Sequence, residues 1–264
     1  MTRPPLGLAC ALLVLAAAGT LSSQAAAQTF LGPTPYLCFD DSPFRGLSFG
    51  YFYLETFEDH LFNVPGVTAN QGGVTSVVFG PSIHDSVDCD DGAIDGSGLQ
   101  GDSFFGSADM TFTFDAHVLG SLPTHAGIVW TDGGFGAVIT FEAYDAAGNS
   151  LGTVEGHHAG QGNNGETDED RFYGVEYAPG ISAIRISHTS GGLEVDHLQY
   201  GGGAPACIAD FNADGFVDFF DYDDYVNCYE TGVCPPGRTA DVNGDGFADF
   251  FDYDDFVAGY ELGC

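Results

Sequence analysis

Through most of the first 200 positions apolar and polar residues alternate with period two, the pattern of strands with one buried face. Met110-Thr-Phe-Thr-Phe114, Val138-Ile-Thr-Phe-Glu-Ala-Tyr144 and Phe172-Tyr-Gly-Val-Glu-Tyr177 carry it, as do Ile184-Arg-Ile-Ser187 and Leu193-Glu-Val-Asp-His-Leu198. In the second segment Ile139, Phe141 and Ala143 share one face, and Val138, Thr140, Glu142 and Tyr144 share the other. Gly133-Gly134, Ala147-Gly148-Asn149 and Gly191-Gly192 bound the segments as turns. Many short alternating strands with frequent turns predict two packed antiparallel sheets: a mainly β, jelly-roll-like β-sandwich. The period changes only near the C-terminus. Tyr222, Tyr225, Val226 and Tyr229 fall at i, i+3, i+4 and i+7, and Tyr253, Phe256, Val257 and Tyr260 repeat that stripe. Two short helices are expected there.

Composition shifts mark the boundaries. Residues 1–27 read as an export signal: Arg3, an apolar run from Leu6 to Ala18 too short to span a bilayer, and Ala25-Ala26-Ala27 before Gln28 as a cleavage site. A sandwich over 28–200, a Gly/Pro linker over 201–206 and a small module over 207–264 follow. Gly156 to Asp170 holds almost nothing to bury and is expected to be a long polar loop, mobile or tied down by an ion. No later segment approaches the ~20 apolar residues of a membrane helix, so a secreted or cell-surface protein is expected.

Charge narrows the partners. The chain has 38 acids against 5 arginines and no lysine, which excludes nucleic-acid binding through a basic patch. Beyond the signal lie Cys38, Cys89, Cys207, Cys228, Cys234 and Cys264, an even set that reads as disulfides in an exported chain. Cys38 and Cys89 are expected to pair in the sandwich. The four late cysteines allow three pairings; Cys207–Cys264 and Cys228–Cys234 are the expected one, with the others open.

The densest chemistry is duplicated. Between 210–230 and 241–261, 15 of 21 aligned positions are identical. Asp210, Asn212, Asp214, Asp218 and Asp221 place oxygens at positions 1, 3, 5, 9 and 12 of one loop; Asp241, Asn243, Asp245, Asp249 and Asp252 do so in the other. Gly215 and Gly246 stand at position 6, where the chain must turn sharply. This is the ligand spacing of an EF-hand calcium loop, whose odd-position rhythm wraps oxygens around a hard cation. Two calcium ions are therefore expected. With 14 acids against one arginine in its 58 residues, the module is expected to need them to fold.

Two such loops, each followed by one helix and lacking the entering helix of a full EF-hand, resemble a dockerin. The Gly263-Cys264 ending resembles the GC-type dockerins of bacterial exported proteins. The resemblance covers nearly all of the last 58 residues and implies the ligand sets just named, with the backbone carbonyls of Phe216 and Phe247 at position 7. It also implies calcium-dependent attachment to a protein partner, in the best-known cases a cohesin. At positions 10 and 11, where cellulosomal dockerins carry small hydroxyl residues, this chain has Phe219-Phe220 and Phe250-Phe251. A different anchoring partner is therefore expected, and at least one phenylalanine of each pair is expected to pack into the module's core.

The sandwich says less. Jelly-roll carbohydrate-binding modules often keep a structural calcium where their first and last strands meet; by that analogy Glu58 and Asp196 are candidates for a third ion. Glu142, Glu155, Glu176 and Glu194 are the carboxylates a glycosidase pair would have to come from, and His157-His158 near Glu166 and Asp168 the nearest thing to a transition-metal set. Solvated histidines and scattered surface acids are the plainer expectation, and no motif of nucleophilic or phosphate chemistry occurs. The expectation is a non-enzymatic exported protein tethered by its tail, with polysaccharide binding by the sandwich as the alternative.

Overall fold

The computed structural model describes residues 26–79, 85–134, 136–160, 165–203, 207–214, 216–235, 238–242 and 246–263. The expected export signal therefore lies almost wholly outside the described residues, as do Gly215, Asn243, Asp245 and Cys264. Strands run β1 (Thr29–Pro35), β2 (Tyr51–Glu55), β3 (Val67–Ala69), β4 (Gly73–Val74), β5 (Phe104–Gly106) and β6 (Met110–Phe114). They continue as β7 (His125–Asp132), β8 (Ile139–Asp145), β9 (Ser150–Gly156), β10 (Arg171–Glu176), β11 (Ile181–His188) and β12 (Leu193–Gly202). Two short helices, α1 (Thr75–Phe79) and α2 (Ala116–Leu119), precede the longer α3 (Phe219–Thr231) and α4 (Phe250–Leu262).

Two antiparallel sheets form, consistent with a β-sandwich. One is ordered β1-β10-β7-β12-β5-β4, with β2 also paired to β12; the other is β3-β6-β11-β8-β9. The alternation read from β8 holds: Ile139, Phe141 and Ala143 are buried and the residues between them are partly exposed. They meet Trp130, Tyr173, Val195 and Tyr200 of the opposite sheet in one core. Each such large side chain contributes roughly 1.5–3 kcal/mol on leaving water.

β12 departs from simple alternation. Leu193 and Val195 face the core, then the pairing with β7 shifts between Asp196 and Gln199, and Leu198 and Tyr200 face the core instead. His197 sits at the shift with φ +42. A bulge with one extra residue resets the phase and turns both Asp196 and His197 to the sheet's outer side. Gly201 and Gly202, expected in the linker, complete the strand opposite Phe52 and Tyr51.

That outer side is not open to solvent. Tyr36, Phe44 and Val87 pack on Val129 and Phe172 as a second apolar cluster, and a Cys38–Cys89 disulfide staples the two covering segments. The cover buries β12 on both faces over its whole length. The disulfides belong with an oxidising environment, and no helix among the described residues is long and apolar enough to cross a membrane.

The C-terminal helices pack by repeat symmetry. Tyr225 stacks on Phe256, 31 positions on, with ring centroids 3.9 Å apart and planes within 9°. The Tyr222 and Tyr253 hydroxyls, also 31 apart, hydrogen-bond at 2.9 Å. Tyr222 also meets Phe256 as Tyr225 meets Tyr253, so the same surface is used twice around a local two-fold. Cys228–Cys234 closes the turn after α3; Cys207 is disulfide-bonded, while its expected partner Cys264 lies outside the described residues. The expectation that one phenylalanine of each pair is buried fails. Phe219, Phe220, Phe250 and Phe251 are 65–67% exposed, because the helix contact begins one turn later, at Tyr222 and Tyr253.

Candidate metal centres

Each repeated loop folds its oxygens back onto its own backbone. Asp210 Oδ1 and Asn212 Oδ1 both accept the Asp214 N–H, at 3.0 and 2.9 Å, and Asp214 Oδ1 accepts the Phe216 N–H at 2.9 Å. Asp218 caps α3 by accepting the Phe220 N–H at 2.9 Å. Asp221 accepts the N–H groups of Asp218 at 2.9 Å and Asn212 at 3.0 Å, tying the loop's start to its end. The second loop is similar: Asp249 accepts from Phe251 at 2.8 Å, and Asp252 from Asp249 at 2.8 Å and, one position earlier than in the first loop, from Val242 at 2.9 Å. Asp241 Oδ2 accepts the Gly246 N–H at 2.9 Å, and Gly246 has φ +95, a region glycine enters without a Cβ penalty.

Positions 9 and 12 thus form a capping box at each helix start, a structural use of those aspartates that ligand spacing alone does not reveal. Asp221 and Asp252 are nonetheless wholly buried. The module's one arginine, Arg238, donates to the Asp210 carbonyl at 2.7 Å. An all-oxygen donor set that includes a fully buried carboxylate at the end of each loop fits a hard divalent cation.

The sandwich gathers a second acidic set under its cover. Asp85, from the covering segment, donates its N–H to Glu194 Oε1 of β12 at 3.1 Å. Asp88 accepts the N–H groups of Asp95 and Gly96 at 3.0 and 3.1 Å and the Thr167 hydroxyl at 3.0 Å. Burial first, then the carboxylates of Glu194, Asp132, Glu169 and Glu166, push Asp85 up to about 10. Burial and the neighbouring Asp85, Glu169 and Asp88 hold Asp170 well above the usual carboxylate range. Burial also lifts Glu194 to about 7. Beside them an open cleft of about 590 Å³ is lined by Asp88, Glu166, Thr167 and Asp168. The segment expected to have nothing to bury therefore buries Gly165, Thr167, Glu169 and Asp170. Its polar residues go inward because the covering segment offers them polar partners: Thr167 donates to Asp88 and Gly165 accepts the Gly98 N–H.

Glu58 and Asp196 are placed apart in role. Glu58 Oε1 accepts the Asp102 N–H at 2.5 Å, and burial pushes its carboxyl up to about 7. Asp196 accepts the Val87 N–H at 2.9 Å and groups with Asp90 and His197, whose ligand-capable atoms lie within 4.8 Å of one another; Glu58 is not in that group. His197 bridges Tyr36 at 2.8 Å and Asp90 at 3.0 Å, so this set is satisfied from within the protein. Glu142 accepts from Tyr144 and Ser150, both at 2.7 Å, on the outer face of the five-stranded sheet, while Glu194 lies outside the other sheet. His158 is not simply solvated: it meets Trp130 edge-on with centroids 4.8 Å apart and bonds the Tyr173 hydroxyl at 2.5 Å. Glu166 and Asp168 cluster with Glu169 rather than with either histidine.

No protein-family model matches the chain, and no curated protein matches it. Solved structures resemble it at low similarity. One is the enzymatically active domain of tailspike protein 4 of bacteriophage CBA120: 15% identity, 56% of this chain, only 20% of that one, TM-score 0.30. Another is TmCBM61 in complex with β-1,4-galactotriose: 14% identity, 56% of this chain and 94% of that one, TM-score 0.26. A third is a DUF4465 family protein from Bacteroides caccae: 10% identity, 72% and 99% coverage, TM-score 0.29.

Proposed function

We propose that the chain is an exported, non-enzymatic attachment protein whose C-terminal dockerin-like module binds two calcium ions and docks on a protein partner. Asp210, Asn212, Asp214, the Phe216 carbonyl, Asp218 and Asp221 hold one ion; Asp241, Asn243, Asp245, the Phe247 carbonyl, Asp249 and Asp252 hold the other. The module presents the sandwich for adhesion or surface structure.

The supporting observation is where the aromatic surface lies. Phe216, Phe219, Phe220, Phe247, Phe250 and Phe251 are 65–72% exposed. Among the sandwich residues whose side chains are described, no phenylalanine, tyrosine or tryptophan is exposed. Apolar groups this concentrated on an acidic module mark an interaction surface, and suit a partner with an apolar groove and a basic rim. Capture from the source's envelope fraction on the immobilised full chain tests this. A partner should be retained with calcium, released by chelator, and lost when Phe219, Phe220, Phe250 and Phe251 are all changed to alanine with helical circular dichroism intact. Equal recovery in all three conditions would sink the reading.

A further inference from the structure

The outer face of the seven-stranded sheet buries five oxygens that no donor reaches. They are both carboxylate oxygens of Asp85, both of Asp170, and the Thr131 hydroxyl. Asp85 is 1% exposed and the other two residues 0%. Three distant segments bring them together. Arg171 pairs with Trp130 in the β10–β7 ladder, so the next positions outward, Asp170 and Thr131, lie opposite each other. Asp85 sits above them on the covering segment, fixed by its N–H to Glu194, the β12 neighbour of Asp132. Gly98 closes the far side: a Cβ there would stand 2.8 Å from Asp85 Oδ1 and 2.1 Å from the Ser86 carbonyl oxygen.

Among the described residues no basic side chain hydrogen-bonds these carboxylates. Arg171 turns its guanidinium to the carbonyls of Asp168 and Asp170, at 2.9 and 2.8 Å. Arg45 pairs with Asp40 at the surface, and Arg185 with Asp109 and Glu142 on the other sheet. Protons are an incomplete substitute, since a proton on one carboxyl can serve only one neighbouring oxygen and leaves the others without a donor. One cation would satisfy all five.

We propose that Asp85, Asp170 and Thr131 form a buried site for a hard divalent cation of the calcium class, which clamps the covering segment onto the sheet. Two carboxylates match a double charge. Two bidentate carboxylates and the Thr131 hydroxyl offer five protein oxygens, which suits calcium's six to eight ligands better than magnesium's strict octahedron. This site is independent of the C-terminal loops.

Trp130, the chain's one tryptophan, immediately precedes Thr131, which gives the test its probe. Terbium added to the full-length protein, excited selectively through tryptophan, should show sensitised emission that excess calcium abolishes. Native mass spectrometry should then find one calcium fewer in Asp85→Asn/Asp170→Asn than in the parent, whatever number the C-terminal module holds. An Asp221→Asn/Asp252→Asn chain should keep the tryptophan-sensitised signal. If the carboxamide variant misfolds, the parent alone still decides: no calcium-competed emission from the folded protein overturns the site. Unchanged stoichiometry in a folded variant overturns it equally.

Discussion

The chain carries two acid-rich regions built in opposite ways. In the C-terminal module the oxygens of each loop come from a dozen consecutive residues, most of them partly or fully exposed, and each loop ends inside its own helix cap. In the sandwich, Asp85, Thr131 and Asp170 come from a cover, strand β7 and the residue before β10, and are brought together only once the sheet is formed and covered. A local site can order the chain that makes it, whereas an assembled one can only tighten a fold that already exists. Loss of cation should therefore unfold the first region and merely loosen the second.

Chelation gives the largest expected effect. The module's 14 acids face a single arginine, and its core is small, so without calcium its helices should not form. Far-ultraviolet circular dichroism should lose the contribution of α3 and α4 while the strand signal persists. Near-ultraviolet signal from Trp130 should survive, since its packing lies in the sheet core. A helical signal indifferent to chelator would show that capping boxes and ring stacking suffice, and the contrast between the regions would collapse.

Within the module, stability and docking should separate by position. Phe256 is fully buried in the stack on Tyr225, and Phe256→Ala should cost about 3–5 kcal/mol in denaturant titration of the calcium-loaded protein. Phe251, five residues earlier and 67% exposed, should cost less than about 0.5 kcal/mol while weakening partner capture. Similar costs at both positions would mean the exposed ring is structural after all.

The same distinction explains what could be read in advance. The helical stripes and the alternation of β8 are local patterns, and each appears where its residues place it; the loop spacing before each helix is a local pattern too. Asp85 and Asp170 carry no local mark; the available hint was global, a chain with no lysine that still must bury carboxylates. The bulge at His197 was equally hidden, since Leu193 to Leu198 reads as plain alternation until the pairing with β7 slips. The phenylalanine pairs misled because apolar residues in a helix's first turn look like core, although the partner helix does not extend that far.

Two of the disulfides extend the comparison at a smaller scale. Cys38–Cys89 spans 51 residues and Cys228–Cys234 spans 6. Loop-closure entropy grows with the logarithm of length, so serine replacement of the first pair should destabilise its domain by about 2 kcal/mol more than replacement of the second. Denaturant midpoints of the two double variants check this. Because the first bridge holds the covering segment that carries Asp85, its loss should also weaken terbium emission through Trp130; loss of the second should not.

The smallest effect concerns the segment that delivers Asp170. His158 lies half-buried against Trp130 and Tyr173, and burial, then Arg171 and His157 nearby, lowers its pKa to about 4; only the Glu169 backbone opposes this. Released into the unfolded chain, the same ring takes up a proton near 6.5. Below that value the unfolded state binds the proton and the folded state does not, so stability falls as pH drops from about 6.5 towards 4. Fully buried, a shift of this size would be worth about 3 kcal/mol; solvent reaching the ring reduces it to about 1 kcal/mol. The surrounding carboxylates titrate in the opposite sense, so the difference between parent and His158→Gln is the quantity to follow, glutamine keeping a partner for the Tyr173 hydroxyl without the titration. The variant's unfolding free energy should decline less steeply over that window. Parallel curves would mean the ring opens to water before it protonates, and the segment carrying Asp170 would then be held by its acids and their cation alone.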